Sequence, residues 1–358
     1  MHGYFKAFLF EELNSWHRKN RLNQQEGQMK YTKAERVKAT LNGEPVDRPP
    51  VSLWRHFYQE EVTTQGLVDS MLGFQNHYGW DFMKVNPRAQ YHVEDWGVTF
   101  EYPSDPNEGP TPAKAPIKSV EQWDYLETLS PTKGNLGKHI DALNRISKGL
   151  KNEVPFIMTV FNPISIAGQL VGSEETFLSH LQLAEDRVHS ALSVITETFC
   201  NYVSEILNVG AAGIFFPTTA WGTTDRLTND LYNNFGRPYD LKILEAASDA
   251  WFNVLHVCRN NNMLSQLTDY PVHAINWDSH GTGNSSLEEA RGFLGKKIPM
   301  GGISRENLLN LDASGIERET KNVMRDSGIN PIIIAPSCSI SPRCPEANIS
   351  SLTETLGV

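Results

Sequence analysis

Short apolar runs recur along the chain, and longer amphipathic stretches separate most of them. This alternation is typical of β-strands joined by crossover helices, and it is unlike the spacing of hairpins. Eight parallel strands of this kind predict an α/β fold, a closed (β/α)8 TIM barrel. The runs are Pro50–Trp54, Asp81–Val85, Pro155–Phe161, Ala211–Phe216, Phe252–Val257, Val272–Trp277, Ile298–Ile303 and Pro331–Ala335.

The intervening stretches carry apolar residues at helical spacing, which predicts amphipathic helices. These helices are Leu67–Tyr78, Leu136–Leu150, Glu174–Leu207, Asp240–Ala250, Ser286–Leu294 and Asp312–Ser327. The alternative architecture is a doubly wound open sheet. It is less favoured because no glycine-rich phosphate-binding turn follows the first run.

Two segments do not show this alternation of apolar runs and amphipathic stretches. Residues 87–135 are rich in proline and show no long helical pattern, so they predict a lid-like insertion after the second strand, with a small hairpin around Val98–Tyr102. Met29 is followed directly by a helical pattern, so residues 1–28 are expected to be either an N-terminal extension or the product of a mis-assigned start. Residues 29–358 are then predicted to form a single barrel domain.

The net charge and the cysteine content of the chain disfavour some classes of function. A net charge of -10 disfavours a nucleic-acid surface, which needs basic side chains to neutralise phosphates. No window has the roughly 18 consecutive apolar residues of a membrane helix. Four cysteines in 358 residues, without an apolar signal segment, favour a reducing, cytoplasmic setting in which thiols are free to bind metal. A homo-oligomer is compatible with these properties.

Soft metal ligands stand at the ends of two predicted strands. His256 and Cys258 close the fifth strand two residues apart, so both point to the same side of an extended segment. Cys338 closes the eighth strand and opens into the same mouth of the barrel. Two thiolates and one imidazole suit Zn2+ and leave a fourth position open, which predicts a catalytic zinc site. The alternative is a hydrogen-bonded histidine with small buried thiols, and Cys344 is a less favoured substitute ligand.

Other polar residues end the predicted strands, where a barrel forms its active site. We expect Arg55 and His56, after the first strand, to bind an anionic group or to form surface salt bridges. Asn86 after the second strand and Asn162 after the third are candidate substrate contacts. Asp278 after the sixth is a candidate catalytic carboxylate beside the metal or a fourth ligand, and its alternative role is a helix N-cap.

Several motifs resemble the uroporphyrinogen decarboxylase superfamily, and together they extend over almost the whole chain from about Met29. They are Glu35–Gly43 (ERVKATLNG), Asp47–Val51 (DRPPV), Ile275–Asp278 (INWD), Gly301–Ile303 (GGI) and Ser341–Ile349 (SPRCPEANI). The resemblance implies a (β/α)8 barrel.

The superfamily has two branches with different chemistry. The resemblance to the decarboxylases implies an arginine-rich segment after the first strand, an acidic residue after the second and a Gly-His-Gly turn after the last. This chain instead has Trp54–Phe57 (WRHF), Lys84–Pro87 (KVNP) and Cys338 at those places. Its motifs are more similar to zinc-dependent methyltransferases that move a methyl group from a methylated corrinoid protein to a thiol such as coenzyme M.

The metal motif of those methyltransferases, His-x-Cys with a distant Cys, falls on His256, Cys258 and Cys338. The resemblance therefore implies Zn2+, a corrinoid protein or free methylcobalamin as methyl donor, and a small-molecule thiol as acceptor. Neither a nucleic acid nor a membrane is expected as a partner. Two alternatives remain: a decarboxylase of the uroporphyrinogen type, which needs no metal, and a catalytically lapsed barrel that binds a corrinoid.

Overall fold

A computed structural model describes residues 31–327 and 331–358, and the predicted extension 1–28 lies outside them. Its strands are β1 (Met83–Val85), β2 (Thr99–Glu101), β3 (Thr111–Lys114), β4 (Phe156–Thr159), β5 (Gly213–Pro217), β6 (Val254–Val257), β7 (Ala274–Trp277), β8 (Ile298–Ile303) and β9 (Ile333–Pro336). Seven of them form a parallel sheet with the order β1-β4-β5-β6-β7-β8-β9, and β2 pairs with β3 as a separate antiparallel ribbon.

The first predicted strand, Pro50–Trp54, lies between the two ends of this sheet. The Ile334 N–H donates to the Pro50 carbonyl (2.8 Å), and the Ser52 N–H donates to the Ile334 carbonyl (3.2 Å). On the other side, the Asp81 N–H donates to the Val51 carbonyl (2.9 Å). The segment is too irregular to count as a full strand, yet its bonds link β9 to the start of the second run. All eight predicted runs therefore occur in the predicted order, in a TIM-barrel-like fold.

A buried ion-pair network stabilises the contact between Pro50–Trp54 and Asp81 at the amino-terminal side of the barrel. Asp81 is fully buried and accepts from Arg36 (2.6 Å), from Arg48 (2.5 Å) and from the Val51 N–H (2.9 Å). Arg36 also pairs with Asp47 (2.7 Å) at the surface. The motifs around Arg36 and Asp47 thus have a structural role, because they join the first helix and the first strand run to the second.

The helices of the described residues surround the sheet. They are α1 (Lys33–Leu41), α2 (Thr64–Tyr78), α3 (Tyr91–Glu94), α4 (Gly134–Leu150), α5 (Pro163–Val171), α6 (Glu174–Leu183), α7 (Glu185–Asn208), α8 (Asn229–Phe235), α9 (Arg237–Ala246), α10 (Leu287–Arg291), α11 (Arg305–Asn310), α12 (Ala313–Ser327) and α13 (Glu346–Leu356). In the part of the chain that the structure describes, no helix combines the length and hydropathy needed to cross a bilayer.

Several helical regions differ from the sequence prediction, among them α8, α11 and α13, which it does not contain, and two of the differences have a clear physical reason. The predicted helix Glu174–Leu207 is two helices, α6 and α7, separated at Ala184, whose ψ of 44° departs from helical geometry. Helix α5 has no amphipathic pattern because eight of its nine residues are buried, and the sequence therefore offered no helical periodicity there.

The insertion 87–135 contains the predicted hairpin. Strands β2 and β3 pair antiparallel, with Glu101 opposite Thr111, and both strands are largely exposed. The short helix α3 precedes the ribbon, and a 3-10 helix, Val120–Tyr125, follows it. The first residues of the insertion line the carboxyl-terminal mouth of the barrel, so this segment contributes directly to the site described below.

Candidate metal centre and active-site cavity

The three predicted metal ligands converge at the carboxyl ends of the strands. His256 lies in β6, Cys258 immediately follows that strand, and Cys338 follows β9 by two residues. One ligand atom from each of the three lies within 4.8 Å of the other two. Among the described residues, these three form the one group of His, Cys, Asp or Glu side chains that lie close enough together to hold a metal ion. Residues 80 positions apart thus meet because their strands share one barrel mouth.

Asn276 fixes the orientation of the His256 ring. It lies opposite His256 in the parallel register of β6 and β7, so both side chains point to the same side. The Asn276 amide donates to the carbonyls of Met300 (2.8 Å) and Pro336 (3.1 Å), which leaves its Oδ1 to accept from His256 Nδ1–H (2.6 Å). This tautomer, assigned from the hydrogen-bond network, keeps the Nε2 lone pair available for a metal.

The two cysteine sulfurs interact directly. A hydrogen bond from the Cys258 thiol to the Cys338 sulfur holds the pKa of Cys338 well below its usual range, and the neighbouring His256 lowers it further. The same hydrogen bond, together with burial, raises the pKa of Cys258 well above its usual range. If a metal ion were bound there, both sulfurs would act as thiolates, because a metal ligand has to be deprotonated.

The donor set fits Zn2+. Two thiolates and a neutral imidazole are soft ligands of the kind that zinc accepts, whereas Mg2+ and Ca2+ require oxygen ligands. The group has no fourth side-chain ligand among the described residues. Three protein ligands and one free position are the arrangement typical of catalytic rather than structural zinc.

A cavity of about 210 Å3 opens beside these ligands. This volume is below the range of roughly 300–1,000 Å3 that is typical of pockets for drug-sized ligands, so its occupant is small. The Trp54 and Phe215 rings line it and meet edge to face, with centroids 5.3 Å apart. The Phe215 ring also stacks on His256 at 5.1 Å. An aromatic surface thus supports the histidine ligand and part of the cavity wall.

Lys84 places a buried amine in the same cavity. Its Nζ lies 4.8 Å from the centre of the Phe215 ring and donates to Asn86 Oδ1. Burial lowers the pKa of Lys84 to about 7, while the nearby Cys338 acts in the opposite direction. Arg88 also lines the cavity, but it pairs with Glu94. Lys84 is therefore the cationic group that a small anionic ligand meets in this cavity.

The candidate binding residues after the first two strands differ in whether they line the cavity. His56 lines the cavity, and its Nδ1 bonds to the buried Glu61 (2.9 Å). Asn86 also lines the cavity, beside Lys84. Arg55 does not line it; its guanidinium lies over the rings of Phe57 (4.8 Å) and Phe74 (5.3 Å). The structure thus brings His56 and Asn86 to the candidate site and packs Arg55 beside it.

Asp278 and Asn162 lie outside the cavity lining. The Asp278 carboxylate accepts the N–H of His280 (3.1 Å), two residues on, in a local turn. Cys344, the less favoured ligand, donates to the Leu308 carbonyl (3.1 Å) and is not in the metal-binding group. In place of Asp278, it is Asn276, two residues earlier, that contacts the histidine ligand.

Asn162 belongs to a buried polar network behind α5. Its amide donates to the Tyr232 hydroxyl (3.4 Å), and Tyr232 donates to the fully buried carboxyl of Asp240 (2.6 Å). Tyr270 donates to the same Asp240 oxygen (2.8 Å). Burial raises the pKa of Asp240 from 3.8 to about 7, although both tyrosines oppose the shift. The network positions helices around the barrel and does not contact the cavity.

This raised pKa predicts a pH-dependent stability. Between about pH 4 and pH 7 the folded protein holds a proton on Asp240 that the unfolded chain has lost, so raising the pH lowers the free energy of unfolding by up to about 1.4 kcal/mol per unit. We expect wild type to lose roughly 2–3 kcal/mol relative to Asp240→Asn between pH 5 and pH 8. Urea unfolding of both proteins across this interval measures the difference. Parallel pH profiles would contradict the prediction.

Sequence reasoning missed the polar residues inside the predicted strands and the insertion. Asn276 and Lys84 lie within predicted apolar strand runs, and both side chains are buried. A buried polar side chain in such a run is the signal that could have identified them. His92 and Gln90 lie in the insertion, and Gln169 lies in the unpredicted helix α5. All but Asn276 line the cavity, so the strand-end rule identified only part of its wall.

Comparisons with known proteins agree with this fold. A family model described as uroporphyrinogen decarboxylase (URO-D) matches residues 32–357. The methylcobamide:CoM methyltransferase MtbA of Methanosarcina mazei is 25% identical over 342 residues, which cover 90% of this chain and 97% of that protein. A uroporphyrinogen decarboxylase of Hydrogenovibrio crunogenus is 25% identical over 320 residues, covering 82% and 88% of the two chains.

A solved structure described as a methyltransferase from Methanosarcina mazei superposes with a TM-score of 0.78 at 21% identity, covering 92% of this chain and 99% of that one. This likeness supports the barrel fold. The match to the family model extends over most of the chain, from the first described helix to the last. The protein therefore belongs to the uroporphyrinogen decarboxylase family.

Proposed function

We propose that this protein is a zinc-dependent methyltransferase that moves a methyl group from a methylated corrinoid, either protein-bound or free methylcobalamin, to a thiol acceptor. The observation that carries the proposal is the convergence of His256, Cys258 and Cys338 at the barrel mouth, beside a small cavity. The relative named methylcobamide:CoM methyltransferase, which matches along nearly its whole length, supports the same chemistry.

The protein supplies the ligand set and its orientation. Two thiolates and a neutral imidazole balance the charge of a divalent zinc ion. When bound, zinc supplies an open position that holds the acceptor thiol as a nucleophilic thiolate. Asn276 keeps the His256 ring in the metal-binding tautomer. In the overall reaction an S–CH3 bond forms, the Co–CH3 bond breaks with its electron pair left on cobalt, and the thiol proton is released.

The cavity residues define the space for the acceptor. His56 and Asn86 are proposed substrate contacts because they line the cavity, whereas Arg55, Asn162 and Asp278 are proposed to stabilise its surroundings. Lys84 supports binding of an anionic acceptor while it is protonated. We also propose that residues 29–358 form one domain in which segment 87–135 is a lid over the mouth, where a corrinoid protein docks.

The decarboxylase alternative has less support. A porphyrinogen with eight carboxylates needs many cations, yet among the described residues the cavity is lined by Lys84 and by Arg88, which already pairs with Glu94. The catalytically lapsed barrel is disfavoured because a full set of three ligands converges.

The proposal is tested with zinc-loaded protein, methylcobalamin and 2-mercaptoethanesulfonate under anaerobic conditions. We expect the methylcobalamin spectrum to decay to that of cob(I)alamin while the methyl thioether accumulates in equal amount. A chelator should stop the reaction, and added Zn2+ should restore it. If zinc-loaded protein transfers no methyl group from free or protein-bound methylcorrinoid to any of several thiols, the proposal is wrong. Carbon dioxide release from uroporphyrinogen would then favour the decarboxylase.

A further inference from the structure

His56 lines the cavity with one ring nitrogen bonded and the other open. Its Nδ1 lies 2.9 Å and 3.1 Å from the two carboxylate oxygens of Glu61. Among the described residues no group bonds to Nε2, and this atom is not one of the buried unpaired polar atoms. A hydrogen on Nδ1, assigned from the bond to Glu61, leaves the Nε2 lone pair available to a molecule in the cavity.

Glu61 is held in place as the partner of this ring. Its carboxylate is buried, and besides His56 it accepts the N–H of Phe57 (3.0 Å) and the N–H of Ala89 (2.8 Å). The Tyr58 ring stacks on the imidazole, with centroids 4.8 Å apart. The plane and direction of the imidazole are therefore fixed. A carboxylate on the far nitrogen of a histidine also stabilises the imidazolium that forms when the near nitrogen takes up a proton.

The segment that carries His56 runs beside the loop that carries a metal ligand. The run Pro50–Trp54 pairs with β9, and beyond this strand the Ile340 N–H donates to the Trp54 carbonyl (3.0 Å). Cys338 lies two residues before Ile340. Among the described residues no hydrogen bond or ring contact joins His56 to a metal ligand, although all of them line the same cavity. A small thiol bound at the metal ligands therefore lies between them and His56.

Other titratable or charged groups surround His56 or share its cavity. Burial raises the pKa of Tyr58, and Glu61 and Cys338 add to this shift. Burial lowers the pKa of Lys84 to about 7, against the effect of Cys338 and Glu61. Lys84 is thus a rival proton acceptor, but among the described residues it has no carboxylate in hydrogen-bond contact. Besides the other two metal ligands, the groups are Glu61, Tyr58, Lys84, Arg88, His92 and Cys338.

Binding of an acceptor thiol requires a proton acceptor. A thiol with a pKa of about 8.5 keeps its proton at neutral pH, whereas a metal ligand has to be a thiolate. A base that faces the cavity and is paired with a carboxylate meets this requirement, because the proton stays inside the site with its charge compensated.

We propose that His56 is the base that takes up the proton of the acceptor thiol at Nε2, and that Glu61 is the positioning residue that holds its ring. The S–H bond breaks with its electron pair left on sulfur, and an N–H bond forms at Nε2. The proton passes to solvent after the methyl group has been transferred. The inference rests on the proposed function and deepens it by assigning the first proton transfer.

The test measures the affinity of zinc-loaded protein for 2-mercaptoethanol from pH 6 to pH 9 by calorimetry, without a methyl donor. A thiol that gives its proton to solvent binds about tenfold more tightly for each unit of pH, whereas one that gives it to a neutral base in the site binds equally at each pH. We expect wild type to show an interval of at least about one pH unit with constant affinity. The negative charge gained by the site and the Glu61 carboxylate both favour the imidazolium in the complex.

His56→Gln should abolish this interval, so that affinity rises about tenfold per unit up to the pKa of the thiol. Calorimetry in two buffers of different ionisation enthalpy counts the protons released. We expect almost none for wild type within the interval and about one per thiol for His56→Gln. Glu61→Gln should narrow the interval by about one unit, because the imidazolium loses its carboxylate partner.

Two further variants separate this role from folding and from the rival base. His189 pairs with Glu185 (3.5 Å), and its side chain is 29% exposed, close to the 23% of His56. His189→Gln, which alters a histidine outside the cavity lining, should keep the interval. Lys84→Met should keep it as well. The zinc content of each variant reports whether the ligand set is intact.

Affinity that rises tenfold per unit at every pH in wild type would overturn the role of His56. An interval that persists in His56→Gln, or one that is lost only in Lys84→Met, would overturn it as well. Constant affinity within an interval but no methyl transfer to any thiol would overturn the proposed function alone. If zinc-loaded wild type binds no thiol, both are wrong.

Discussion

Replacing both Cys258 and Cys338 by serine is expected to reduce the metal content from about one zinc per chain to almost none. In the proposed centre the two sulfurs supply the thiolate ligands, and a serine hydroxyl neither ionises at neutral pH nor binds zinc comparably. Metal analysis of wild type and variant, purified without chelator and dialysed against the same trace-zinc buffer, measures the change. Methyl transfer should fall below detection with the metal.

The other two cysteines provide the matched control. Cys200 donates to the Lys242 carbonyl and Cys344 to the Leu308 carbonyl, and neither belongs to the metal-binding group. The Cys200→Ser, Cys344→Ser variant should therefore retain its zinc. Zinc bound equally by both double variants, or no zinc in wild type after supplementation, would exclude the proposed metal centre.

Asn276→Leu should weaken zinc binding by roughly 10- to 100-fold without removing a ligand, which is the usual effect of losing the partner of a metal-bound histidine. The hydrogen bond from His256 Nδ1 is lost, and the ring is freed to adopt the wrong tautomer. Competition against a chromogenic chelator measures the affinity. An unchanged affinity would show that packing alone orients His256.

The second large effect concerns stability and lies at the opposite end of the barrel. Asp81→Ala should lower the free energy of unfolding by about 3–5 kcal/mol, the usual cost of removing one partner of a buried ion pair. Asp81 is fully buried and is bound by Arg36, Arg48 and the Val51 N–H. Its loss leaves the Arg48 guanidinium without a carboxylate partner, the Arg36 guanidinium with Asp47 alone, and the Val51 N–H without this acceptor. Urea unfolding with zinc held constant measures the difference.

Asp47→Ala is the matched control because Asp47 pairs with the same Arg36, but its side chain is 32% exposed. Exposed pairs contribute about 0–1 kcal/mol, so this variant should unfold close to wild type. Equal losses for Asp81→Ala and Asp47→Ala would mean that burial of the ion pair does not dominate. Zinc content should be unchanged in both folded variants, since neither residue reaches the cavity.

The barrel and the convergence of the three candidate metal ligands could be predicted because their signals are local. Each strand run is a short apolar segment, and its following residue is placed at the mouth by the geometry of parallel strands. The position of His256, Cys258 and Cys338 at the mouth of the barrel could therefore be predicted from the strand that each one follows, without knowledge of contacts between segments. The hairpin near Val98 was predicted in the same way, from alternation within a few residues.

Other parts of the site could not be predicted because they depend on register and packing between segments. Asp278 looked suitable as a carboxylate at a strand end, yet it bonds its own turn, while the register of β6 against β7 sets Asn276 against His256. Arg55 likewise follows a strand, but aromatic side chains from α2 and its own loop hold its guanidinium outside the cavity lining. Residue type and position alone do not distinguish these outcomes.

By itself, the sequence determined the class of fold, the order of its strands and the three soft candidate ligands at their ends. Hydrophobic periodicity and residue type are local properties of the chain and can be read without contacts. Only the tertiary structure decided which polar groups share the cavity: Lys84 from inside a strand, His92 from the insertion and Gln169 from a helix without amphipathic pattern. The reason is physical. A hydrogen bond or a cavity wall is set by distances between segments remote in sequence, which strand register and side-chain packing fix.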